Sequence, residues 1–154
     1  MNQEWTVGLS LTEKCNETCK HCYIGRKNLW KQFNYETLDL TKEQISALIP
    51  QFKEIGVTRV NFGGGEAPLH LDFLSVVQDL FDAGIKISLT TNGSTFPKIR
   101  NYLHLFNDVG VSIDLPAVEH CEFRGHPMAF EWAKRALNEL VDRGIRNEMV
   151  TCIM

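Results

Sequence analysis

Two hydrophobic periods alternate along this chain. Thr6–Thr12 (TVGLSLT) has the composition of a short strand. Thr41–Ile55 (TKEQISALIPQFKEI) then places apolar residues at helical spacing, with Thr41 as the cap and Gly56 as the stop. Pro50 falls inside that helix and is expected to kink it. Val57–Phe62 is the next strand. Leu71–Ala83 is an amphipathic helix closed by Gly84, and Ile85–Thr91 a third strand. Pro97–Leu105 reads as a short helix and Asp108–Asp114 as a fourth strand. Met128–Arg143 is a strong helix closed by Gly144, and Arg146–Met154 begins a fifth strand.

Strands alternating with helices imply right-handed crossovers and a parallel sheet, so the fold class is α/β. Parallel sheets place their ligand sites at the carboxyl ends of the strands. The unusual stretches of this chain follow or end strands: the cysteine run, Gly63–Glu66, Thr90–Gly93 and Ser112–Asp114. Four segments are therefore expected to meet on one rim. The chain stops in an apolar strand with no helix after it, so the pattern reads as truncated after the fifth strand.

Composition narrows the class. At 154 residues, 44% apolar and 23% charged, the chain suits one globular domain. A net charge of −3 gives no support for general nucleic-acid binding. No apolar run approaches the roughly 20 residues of a membrane span, and Met1–Thr12 lacks the pattern of a signal peptide. The expected compartment is the cytoplasm, with no membrane partner.

Five cysteines without a signal peptide make a poor disulfide framework. Three of them lie in Cys15-Asn16-Glu17-Thr18-Cys19-Lys20-His21-Cys22-Tyr23. Thiolates four and three residues apart can converge on zinc or on an iron–sulfur cluster. A structural zinc needs a fourth protein ligand, which His21, Cys121 or Cys152 could supply. A cubane held by three cysteines keeps one iron open. After the second strand, Gly63-Gly64-Gly65-Glu66-Ala67-Pro68 lacks the Gly-Lys-Ser/Thr ending of a phosphate loop and the glycine spacing of a dinucleotide fingerprint. By itself it reads either as a tight turn or as a close backbone approach with an acid placed for an ammonium group.

The cysteine spacing, with an aromatic beside the last cysteine, resembles the signature of radical S-adenosylmethionine enzymes. In that family the aromatic most often precedes the third cysteine; here His21 holds that place and Tyr23 follows. Gly64, Gly65 and Glu66 match the Gly-Gly-Glu stretch that binds the methionine amino group, with Pro68 two places on. Thr91-Asn92-Gly93 and Ser112-Ile113-Asp114 match the family's third and fourth strand ends. His120, Arg124, Gly125 and Phe130 match a looser pattern of the peptide-modifying (SPASM-type) and molybdopterin-synthesis branches.

The resemblance implies a partial (β/α)6 TIM-like barrel, with residues 1–154 forming a core domain incomplete at its carboxyl end. It implies a [4Fe–4S] cluster on Cys15, Cys19 and Cys22 whose open iron chelates S-adenosylmethionine. Cofactor contacts would come from Tyr23, Gly64, Gly65, Glu66, Asn92, Ser112, Asp114 and Arg124. The implied activity is reductive cleavage of S-adenosylmethionine to a 5′-deoxyadenosyl radical. An electron donor such as flavodoxin or ferredoxin would reduce the cluster. A peptide or protein is the expected substrate, with cofactor biosynthesis as the alternative and a non-catalytic zinc or iron–sulfur module as the reading outside enzymes. Cys121 and Cys152 read as buried, inert thiols. The loop Ile24–Leu40, with Arg26-Lys27 and Trp30, is expected to cover the cluster.

Overall fold

The computed structural model describes residues 4–24 and 39–152. The body of the proposed covering loop, including Arg26, Lys27 and Trp30, lies outside the described residues. Five strands form one sheet in the order β1-β2-β3-β4-β5: Trp5–Ser10, Val57–Gly63, Lys86–Thr91, Asp108–Ser112 and Asn147–Val150. Every neighbouring pair is parallel. Sequential parallel order with intervening helices is the arrangement of a partial (β/α) barrel; the alternation of periods implied the parallel sheet, and the family resemblance the barrel.

The helices are α1 (Lys42–Glu54), α2 (Phe73–Asp82), α3 (Phe96–Ile99), α4 (Ala117–Arg124) and α5 (Ala129–Asp142). Thr41 caps α1 through a full capping box with Gln44, and the helix runs on through Pro50. Buried Ile45, Ile49 and Phe52 lie four and three residues apart, which puts them on one face. In α2 the buried set is Phe73, Val76, Val77 and Leu80, and in α5 it is Ala129, Ala133, Ala136 and Leu140. These faces pack on Val60, Phe62, Ile87, Leu89, Val109 and Val111 of the sheet. Phe62 meets Phe73 edge to face at 5.3 Å.

Three elements differ from expectation. The segment Pro97–Leu105 divides into α3 and a 3-10 turn at Leu103–Leu105. Leu71 lies outside α2 and is 96% exposed, because a 3-10 turn at Ala67–Leu69 intervenes. Helix α4 was not foreseen: it starts after Pro116 and mixes charged and apolar residues without a clear stripe. No helix among the described residues is long and apolar enough to cross a membrane.

Candidate active site

Strand ends build the site. A cavity of about 410 Å3 opens at the carboxyl ends of the strands. Every residue named above as a cluster or cofactor ligand lines it: Cys15, Cys19, Cys22 and Tyr23 after β1, Gly64 to Glu66 after β2, Asn92 after β3, and Ser112, Asp114 and Arg124 after β4. A larger hollow of about 680 Å3 lies between α3 and α5 and holds no cysteine, so size does not mark the chemistry here.

The glycine run locks onto the cysteine loop. Gly65 N–H donates to the Thr12 carbonyl at 3.0 Å and Glu66 N–H to the Lys14 carbonyl at 2.8 Å. A Cβ on Gly65 would stand 2.3 Å from the Lys14 carbonyl oxygen, and one on Gly64 would stand 1.9 Å from Ser10 Oγ. Gly65 makes room for protein backbone and Gly64 for the Ser10 side chain, and Glu66 follows them into the interior.

Glu66 is 2% exposed. Its Oε1 accepts from the hydroxyls of Thr91 and Thr95, and its Oε2 from Asn92 N–H at 2.9 Å. Burial raises its carboxyl above the ordinary glutamate range, against the pull of those donors. Among the described residues its hydrogen-bond partners are neutral groups. A buried carboxylate with neutral partners is a place for a cationic ligand group.

The thiols stand in the same electrostatic setting. Burial pushes Cys19 up to about 12. Cys15 is raised too, first by the protein packed around it; a backbone hydrogen bond at Glu17 opposes this, and the Glu66 and Glu17 charges add to it. Asn92 reaches into this loop: its Nδ2 donates to Asn16 Oδ1 at 3.0 Å and lies 3.9 Å from Cys15 Sγ. Among the described residues, no three His, Cys, Asp or Glu side chains converge on a position for one metal ion. Three thiols spread around a cavity suit a cluster, which takes each thiolate at a different iron. Binding there would release thiol protons.

Ser112 is buried at the end of β4. Tyr23 is 75% exposed at the cavity edge. Asp114 and Arg124 face each other: Arg124 Nε donates to Asp114 Oδ2 at 2.7 Å. His120, 1% exposed, accepts from Asp114 N–H through Nδ1 at 3.1 Å and meets Phe130 edge to face. Cys121 is partly buried, outside this cavity, and donates to the Pro127 carbonyl at 3.2 Å. Cys152 corrects an expectation: it lies past β5, is exposed, and borders the cavity, where its N–H donates to Asp114 Oδ1 at 2.9 Å.

Sequence reasoning left Glu17, Thr91 and Thr95 without roles. Thr91 was findable, since it ends β3 on a buried position of the strand. Glu17 was visible only as an acid between two cysteines.

Comparison with known proteins fits this geometry. The chain is 36% identical over 115 residues to an S-adenosylmethionine-dependent nucleotide dehydratase of Selenomonas ruminantium, covering 71% of this chain and 39% of that protein. It is 32% identical over 106 residues to a GTP 3′,8-cyclase of Haemophilus ducreyi, covering 68% and 29%. Its fold is similar to anSMEcpe solved with bound AdoMet and the Cp18Cys peptide, with a TM-score of 0.68, 19% identity, and 94% and 42% of the two chains covered. The chain spans about two fifths of the length of the first curated relatives it matches. The family model described as the radical SAM superfamily matches residues 9–154, which include the cysteine run and every strand end on the cavity. This chain therefore belongs to the radical SAM superfamily.

Proposed function

We propose that this chain is the core domain of an enzyme that cleaves S-adenosylmethionine reductively, with Cys15, Cys19 and Cys22 as the cluster ligands. When bound, the two cofactors supply one-electron cleavage of the sulfonium carbon–sulfur bond and so a 5′-deoxyadenosyl radical for hydrogen abstraction. The protein's own work is placement and exclusion of water. Glu66 takes the ammonium group of S-adenosylmethionine, held for that purpose by Thr91, Thr95 and the Asn92 N–H. Gly64 and Gly65 present backbone beside it. Asn92, Ser112 and Tyr23 line the path of the nucleoside, and Asp114 and Arg124 close the β4 side. The observation that carries this reading is the buried Glu66 carboxylate with neutral partners in the cavity of the three cysteines. A flavodoxin or ferredoxin of the cytoplasm is the proposed electron donor.

A peptide substrate is the first reading of the hydrogen-abstraction step. Similarity of fold to a peptide-bound structure supports it. A nucleotide is the second, supported by relatives above 30% identity named as a nucleotide dehydratase and a GTP cyclase.

The test is anaerobic reconstitution, dithionite reduction with S-adenosylmethionine, and assay of 5′-deoxyadenosine. The reading requires product from the wild type and none from Cys19→Ala. Zinc uptake without S-adenosylmethionine binding would replace it with the non-catalytic module. Stimulation of product by nucleoside triphosphates, and not by peptides, would select the second substrate class.

A further inference from the structure

Arg124 was expected to contact the cofactor, and its surroundings also tie it to the protein. The cysteine loop lies along the end of α4. Thr18 N–H donates to the Arg124 carbonyl and Lys20 N–H to the Phe123 carbonyl, both at 3.0 Å. The His21 ring stacks on Phe123 at 4.8 Å with an 8° interplanar angle. Gly125 ends α4 at φ 68°, and a Cβ there would stand 2.1 Å from Thr18 Oγ1. The Arg124 side chain completes the contact. Its NH1 ion-pairs with Glu17 Oε2 at 3.4 Å, while Nε and NH2 hold Asp114 Oδ2 at 2.7 Å. Asp114 Oδ1 in turn accepts from Cys152 N–H. One guanidinium thus joins the segments after β1 and β4, and its partner Asp114 reaches the segment after β5.

These side chains are buried: Glu17 is 1% exposed, Asp114 2% and Arg124 8%. Glu17 Oε1 is buried with no hydrogen-bond partner among the described residues, and its Oε2 accepts from Cys19 Sγ at 3.5 Å. Buried ion pairs with an unsatisfied oxygen are poor sources of stability; their better-attested use is to fix register. Arginine suits that use because its planar fork holds two partners at set angles.

We propose that Arg124 is a positioning residue: with Glu17 it docks the cysteine loop on the end of α4 and sets where Cys19 stands. This rests on the reading that the three cysteines hold the cluster.

The test uses the reconstituted chain and its Glu17→Gln, Arg124→Met and Arg124→Lys variants. Iron content, affinity for S-adenosylmethionine and the electron paramagnetic resonance spectrum of the reduced cluster are measured for each. In Arg124→Met, cluster retention should fall about tenfold, in the range of lost outer-shell contacts, with partial recovery in Arg124→Lys. Glu17→Gln keeps the Arg124–Asp114 pair and nearly the same volume, so it decides the matter if Arg124→Met fails to fold. It should shift the spectrum and weaken cluster retention while leaving affinity for S-adenosylmethionine within about twofold. Full iron, an unchanged spectrum and about tenfold weaker S-adenosylmethionine binding in Arg124→Met would overturn the proposal in favour of a cofactor grip. Variants indistinguishable from wild type would overturn it as well. A wild type that takes up no four-iron cluster would bring down the functional reading itself, and shows before any variant is made.

Discussion

The two ends of the sheet treat charge differently. Toward the amino ends of the strands, Arg59 of β2 ion-pairs with Asp108 of β4 at 2.5 Å and donates to Ser88 of β3. The pair is partly solvated, with side chains 27% and 20% exposed, and one cation meets one anion. At the carboxyl ends, Glu17, Glu66 and Asp114 line one cavity with Arg124 as its single guanidinium among the described residues. The amino end is an ordinary strand-to-strand staple. The carboxyl end holds acids in surplus where water is scarce, which stores unfavourable energy that a cationic ligand can relieve. The difference locates the site better than cavity size does.

Cys19→Ala should give the largest effect, lowering 5′-deoxyadenosine formation at least about 100-fold by removing a proposed cluster ligand. Retained activity with a full cluster would move the site elsewhere on the rim. Glu66→Gln comes next. Removing the charge proposed to face the ammonium group should weaken S-adenosylmethionine binding about 30-fold or more, read by equilibrium dialysis. The same change should act oppositely on the metal-free chain. Burial raises the Glu66 carboxyl, so its ionisation costs stability as pH climbs from the ordinary glutamate range through the raised value. Glu66→Gln should therefore raise the melting temperature at pH 7, and the gain should shrink near pH 4. A lower melting temperature at both pH values would make the carboxylate a net support of the fold and erase the contrast.

Gly65→Ala tests the packing under the rim. Its Cβ would meet backbone at 2.3 Å, so the cost should be about 2–3 kcal/mol in urea unfolding. Gly8→Ala, with nothing among the described residues within 4 Å of the added Cβ, should cost under about 1 kcal/mol. Arg59→Met should have the smallest consequence, about 1 kcal/mol or less of stability for a partly exposed pair. Its S-adenosylmethionine affinity should equal that of the wild type; a change there would show that the two ends communicate.

The sheet and the cavity lining were legible because each rests on a local signal. Strand and helix periods are written residue by residue, and the rule that ligands gather at carboxyl ends brought Cys15, Glu66, Asn92 and Asp114 together before any coordinates. What escaped depends on long-range packing. Ala117–Arg124 forms a helix whose charged and apolar residues follow no clean stripe, since it packs on a loop as well as on α5. Glu17 looks like a solvated acid until Arg124 arrives from the far side of the sheet. Cys152 looks like a strand residue, yet the ladder ends at Val150. The direction in which a loop side chain turns is set by its partners, and those partners lie tens of residues away.

The docking of the cysteine loop on α4 also has a timetable. Glu17 and Arg124 are 107 positions apart in the chain. Sheet pairing joins each strand to its sequence neighbour, so the sheet can grow as the polypeptide emerges. The cysteine loop must wait. At a synthesis rate of about 5–20 residues per second, the ribosome needs roughly 5–20 s to deliver the helix after the thiols have appeared. For that interval the three cysteines are nascent thiols without their final neighbours, open to oxidation and to adventitious metal. Cluster delivery is therefore best matched to the finished sheet, and slow translation between the two segments would be paid for in damaged thiols.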